Sequence, residues 1–144
     1  MKTQKSDFDK FFHAYLVAAL WSSTITEGEE ENPGPREGDP FDKHFSPDDF
    51  TPEALEILRA HALSFWSRMW FYIDHEEAPP NSHTPPRNVT QAGHDFWLTQ
   101  NGHGSGFWDG DWPKYGDTFT KLSKCYPEIN LCIQETEDGD KVGL

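Results

Sequence analysis

Side chains that could do chemistry crowd into one stretch, GHDFWLTQNGHGSGFWDGDW, from Gly93 to Trp112. His94, His103, Asp95, Asp109 and Asp111 supply the imidazole and carboxylate groups that suit a divalent transition metal. Asn101-Gly102, set between aromatic residues, reads as a type I′ turn, whose two central positions need φ > 0. A turn centred there predicts a hairpin over 94–109, with His94 facing Asp109 and Phe96 facing Phe107. His94 and His103 then stand at opposite ends, on the order of 20 Å apart at ~3.3 Å per residue, and cannot share an ion. The feasible metal cluster is His94 with Asp109 or Asp111, and His75 or His83 from the preceding loop as a third ligand. The competing reading is a His–Asp hydrogen bond that pins the strand ends, since neither HExxH nor CxxC spacing is present. Gly104-Ser105-Gly106 falls one residue short on each side of a nucleophile elbow, and a hairpin is not a strand-to-helix turn. NGHGSG lacks the lysine and the following helix of a phosphate cradle. These residues assign no catalytic group and no cofactor.

Alternation across the expected strands puts Asp95, Trp97, Thr99, Gly104, Gly106 and Trp108 on one face. The two glycines leave the Trp97 face uncovered, so another element or a partner can approach it closely. Exposed tryptophan carries interface energy out of proportion to its number. Trp97 and Trp108, with Trp112 at the rim, are therefore the expected partner-binding hot spots, accompanied by Asn101, His103, Asp109 and Asp111.

The string GHDFWLTxNGHGxGFWD, with the YGDTFTKLSK that follows it, resembles a motif of small proteins encoded by bacteriophages and bacterial mobile elements. The resemblance covers about residues 88 to 125. It implies a phage or plasmid origin and action in the cytoplasm of the bacterial host, and it implies no activity. Gln100 stands where many such proteins are expected to carry arginine, so a basic contact at that position is not expected here.

A formal charge of −13 over 144 residues is the second strong feature. Residues 1–26 balance at +1, residues 27–77 at −10 and residues 78–144 at −4. A field of that sign repels nucleic acid and anionic membranes, which argues against direct DNA or RNA binding. What remains is a basic protein partner, a cation, or solubility alone. No apolar run approaches the ~20 residues of a membrane span. Cys125 and Cys132 are expected to be reduced, buried thiols.

Elements that must position these residues can be read along the chain. Phe8, Phe11, Phe12, Tyr15, Leu16, Ala19 and Leu20 share one helical face, in a helix that fades by Ser22-Ser23-Thr24. Residues 26–40, rich in Glu, Gly and Pro, are expected to be a mobile acidic loop. Ser46-Pro47-Asp48-Asp49 and Thr51-Pro52-Glu53 each join an N-cap, a first-turn proline and acid. The first predicts a single turn, and the second opens a helix running to about Ile73. A Pro-rich loop over 78–92 precedes the hairpin. A short helix over 117–124 turns Phe119 and Leu122 inward, and a strand over 129–134 follows it. The rest is a polar tail with an Asp138-Gly139 turn.

The expected fold is a single α+β domain over residues 1–144. Its small antiparallel sheet has about three strands, and the two long helices pack on it. The expected function is that of a non-enzymatic phage or mobile-element accessory protein that binds and inhibits a host bacterial protein. A sharper form has carboxylates spaced like phosphates occupying the basic groove of a defence or DNA-processing enzyme. The alternative is a small metal-dependent hydrolase built on the hairpin's His/Asp cluster.

Overall fold

Aromatic side chains at helical spacing build the centre of the molecule. In the computed structural model, which describes residues 5–75, 89–102 and 116–144, the first helix, α1, spans Lys5–Ser22. It buries Phe8, Phe11, Tyr15, Leu16, Ala19 and Leu20, the face expected from sequence. A two-residue ribbon follows, with β1 (Gly28–Glu29) antiparallel to β2 (Asn32–Pro33). Two 3-10 turns, Phe41–Lys43 and Pro47–Asp49, lead to α2, Pro52–His75. Both expected caps are formed. Ser46 and Asp49 make a reciprocal capping box, and the Thr51 hydroxyl accepts from the Ala54 N–H at 3.1 Å.

The region expected as a hairpin contains a helix instead. Residues Val89–Gln100 form α3, so Phe96, Trp97 and Leu98 are helical, and so is the end of the expected loop over 78–92. Val89, Ala92, Gly93, Phe96, Trp97 and Gln100 recur at intervals of three and four, and all are buried. Aromatic alternation and helical spacing coincide in this stretch, and burial against α1 favours the helix. Asn101-Gly102 does turn with positive φ, +72° at Gly102, but as the end of that helix. Asn101 N–H donates to the Trp97 carbonyl at 3.1 Å and Gly102 N–H to that of Thr99 at 3.3 Å. An Asn-Gly pair serves a helix C-terminus as well as a hairpin, since both need left-handed backbone. The strand expected over residues 103–109 lies outside the described residues.

Helix α4, Gly116–Ser123, buries Phe119 and Leu122 as expected. The strand expected over 129–134 starts later, as β3, Cys132–Thr136, and pairs antiparallel with β4, Gly139–Gly143. The expected polar tail is thus the second strand of a hairpin. Among the described residues the fold is mixed helix and strand. It has two separate two-stranded sheets in place of one three-stranded sheet.

The long helices therefore pack on helix rather than on sheet. Phe96 of α3 is the hub. Its ring stacks on Phe65 of α2 at 4.1 Å and on Tyr15 of α1 at 5.0 Å, and meets Tyr126 edge-on at 5.3 Å. Gly93 lets α3 close on α1. A Cβ at that position would fall inside the contact radius of the Phe11 carbonyl oxygen and lie 2.9 Å from Ala14 Cβ. The β3–β4 hairpin docks through Val142, which is fully buried and whose carbonyl accepts from Thr51 N–H at 2.9 Å. Cys125 and Cys132 are both exposed free thiols, contrary to the burial expected of them.

Candidate functional site

Of the residues nominated from sequence, His94, Asp95 and Trp97 lie on α3 and Asn101 directly follows it. Trp97 is 1% exposed, so it is a core side chain and not a surface anchor. Its ring meets Tyr15 edge-on at 5.3 Å, and its Nε1–H donates to the Ser22 hydroxyl at 2.8 Å. Ser22 Oγ in turn donates to the Ala18 carbonyl at 2.6 Å. Asn101 is half-buried and structural. Its Nδ2 donates to the Trp97 carbonyl at 3.0 Å, and its Oδ1 accepts from Ile129 N–H at 2.7 Å, tying the end of α3 to the chain after α4. His94 lies in a cleft between α1 and α3 with Asp9, Lys10, His13 and Thr90, and burial holds its pKa below the usual imidazole value. Asp95 is buried and accepts from Gln91 at 2.9 Å. His103, Trp108, Asp109, Asp111 and Trp112 lie outside the described residues, and with them the second half of the expected metal set. Among the described residues no three His, Cys, Asp or Glu side chains gather closely enough to hold a metal ion.

Gln100 sits at the centre of a buried polar junction. Its Oε1 accepts from Tyr15 Oη at 2.6 Å, while Nε2 donates to the Pro127 carbonyl at 2.9 Å and reaches His61 Nδ1 at 3.2 Å. Four chain segments meet in this one carboxamide. Because Nε2 can only donate, His61 Nδ1 must be the unprotonated nitrogen, and desolvation lowers the His61 pKa in the same sense. Burial also raises the Tyr15 phenol. Every partner is satisfied, so the junction braces the core.

The surface feature that sequence arithmetic under-described is a carboxylate face assembled from two distant segments. Residues 27–49 carry nine Asp and Glu against Arg36 and Lys43, and residues 132–144 carry four against Lys141. Arg36 joins them. Its guanidinium pairs with Glu27 and also with Asp140, the latter at 3.0 Å, and lies over the Phe45 ring at 5.8 Å. The Arg36 bonds hold the Glu27 carboxyl below its usual range. His44, 2.8 Å from Asp39, does the same there. Glu37 accepts from Glu27 N–H at 2.6 Å, Lys141 approaches Asp49 at 3.9 Å, and Ile25 exchanges backbone bonds with Gly38 and Asp39. The stretch 26–40, expected as a loop without anchors, therefore has a hydrogen-bonded path. Glu29, Glu30, Glu31, Asp42, Asp48, Glu135, Glu137 and Asp138 stand exposed on this frame, and no basic side chain among the described residues pairs with them.

At the foot of the face is a half-open groove of about 400 Å³. Ser22, Ser23, Thr24 and Thr26 come from the end of α1 and the chain entering β1. Glu128, Asn130 and Leu131 come from the chain entering β3, and Trp97 and Asn101 close the inner wall. Sequence reasoning missed it. The run Ser22-Ser23-Thr24-Ile25-Thr26 was legible only as a helix end, and it lines one groove with residues 128–131, where Asn101 bonds Ile129. Comparison with protein-family models, with curated proteins and with solved structures finds no match to this chain.

Proposed function

We propose that this chain is a non-enzymatic accessory protein, of phage or mobile-element origin, that binds a basic host bacterial protein and inhibits it. The observation that carries the reading is the carboxylate face bound into one frame by Arg36, Glu27 and Asp140. Opposed charge steers association and selects partners, and fixed carboxylates achieve this without first having to be ordered. The burial of Trp97 removes one anchor of a tryptophan-centred interface, which shifts weight toward an electrostatic one. A nucleic-acid-processing enzyme is the natural class of partner, because its basic groove already accepts rows of negative charge. Among the described residues no helix is long and apolar enough to cross a membrane.

The test is capture from bacterial lysate on the wild-type chain and on a Glu29→Lys/Glu30→Lys/Glu31→Lys variant. The expected outcome is a discrete basic protein retained by the wild type at low salt, released as salt rises, and absent from the variant. Inhibition of that protein's own activity by the wild type, and not by the variant, completes the test. Equal capture by both would sink the electrostatic reading.

A further inference from the structure

We propose that the groove between residues 22–26 and 128–131 is a guanidinium pocket that takes one arginine side chain of the basic partner; this rests on the binding role proposed for the acidic face. Three features point to a cationic, donor-rich occupant. The hydroxyls of Ser23, Thr24 and Thr26, the Asn130 carboxamide and the Glu128 carboxylate line both walls with acceptor oxygens and make no side-chain hydrogen bond with any described residue. The groove opens at the C-terminal end of α1, where the helix dipole is negative and no basic residue occupies the last turn. Glu128 is exposed, with Oε1 near Gly102, and among the described residues it is the one charged group in the lining.

Arginine fits this arrangement better than lysine. A guanidinium presents five donors in a planar fork and can satisfy a carboxylate and several neutral oxygens together. An ammonium is a compact and strongly hydrated point charge. The position of the groove also matters. Thr26 is followed by Glu27 of the Arg36 clamp, and Leu131 is followed by the first residue of β3, so a basic segment lying on the face passes the mouth of the groove. The face would supply long-range attraction, and the pocket would supply the choice between two cations.

Two probes separate the pocket from the face. The first is N-acetyl-arginine methylamide, titrated into isotopically labelled full-length protein by NMR. Amide shifts at Thr24, Thr26 and Asn130 that saturate, and that N-acetyl-lysine methylamide does not produce, are expected. Their absence up to high millimolar probe would overturn the pocket whatever the face does. The second probe is a pair of peptides, hexa-arginine and hexa-lysine, measured by calorimetry. Hexa-arginine should bind more tightly. Glu128→Gln, an exposed substitution, should weaken it about tenfold, the equivalent of one charge-assisted contact, and should erase the preference. Glu29→Gln/Glu30→Gln/Glu31→Gln should weaken both peptides alike and keep the preference. If Glu128→Gln leaves affinity and preference unchanged while both peptides bind with a steep salt dependence, the pocket is wrong and the face survives. If neither peptide binds, the face is wrong, and the single-residue titration still decides the pocket.

Discussion

The centre around Phe96 and the rim around Arg36 are held by different forces. At the centre, α1, α2 and α3 meet through stacked rings at 4.1 to 5.0 Å, and the polar junction at Gln100 has partners for both carboxamide atoms. At the rim, two short hairpins and two 3-10 turns are pinned by single buried side chains such as Phe41 and Val142, and Arg36, His44 and Lys141 hold the carboxylates around them in place. Packing does not depend on charge screening and depends little on pH, whereas exposed ion pairs respond to both. One chain thus separates a stable support from a charged surface. The support can carry excess negative charge because its cohesion does not depend on it.

The sharpest way to break this contrast is at Trp97. If it is a core side chain, Trp97→Ala should cost about 3–5 kcal/mol in urea denaturation. A cost below ~1 kcal/mol would return Trp97 to the surface and to the partner-binding role expected from sequence. Gln100→Leu comes next. It strands the Tyr15 hydroxyl and the Pro127 carbonyl, and should cost about 2–3 kcal/mol. His61 adds a sign to this experiment. Its folded pKa lies below the ordinary value of 6.5, so the stability it contributes is complete above that value and is lost as pH falls toward the lowered one. Gly93→Ala follows, at about 1–3 kcal/mol. Alanine would otherwise favour the helix by up to ~1 kcal/mol, so a stabilised variant would disprove the close approach of α1 and α3.

The contrast also explains what the sequence made legible. Helices α1 and α2 and both capping turns follow from apolar spacing and from Ser-Pro and Thr-Pro signals that act within a few residues. In α3 two local signals agreed on the wrong element. Phe96, Leu98 and the turn at Asn101-Gly102 alternate like a strand, while Val89, Ala92, Gly93, Phe96, Trp97 and Gln100 recur like a helix. Only the facing surface of α1, notably the backbone at Phe11 that Gly93 accommodates, decides between them. The face and the groove are non-local in a stronger sense. Asp140 meets Arg36 across 104 positions, and Glu128 lines one groove with Ser23 where Asn101 bonds Ile129 and Gln100 bonds Pro127. Charge arithmetic located the acid in 27–77, but no local rule joins it to the acid in 135–140.

Arg36→Met is the smallest expected effect and the most discriminating at the rim. The substitution keeps the packing length over Phe45 and removes the fork that joins Glu27 to Asp140. Global stability should change little, because both carboxylates can turn to water. Amide exchange should speed up at Gly34 and Gly38, whose N–H groups bond across the ribbon to Glu27 and Ile25, and stay unchanged at Phe96 and Trp97. Acid should mimic the mutation. The Glu27 carboxyl is held below its ordinary value of 4.5, so the stabilisation it gives the clamp is full above that value and disappears as pH falls through the lowered one. Wild-type exchange at the ribbon should accelerate over that acid range, and the Arg36→Met ribbon, already released, should respond much less. Equal acid sensitivity in the two proteins would mean that the clamp does not hold the face, and the separation of charged surface from packed support would fail at the one side chain that joins the two acidic segments.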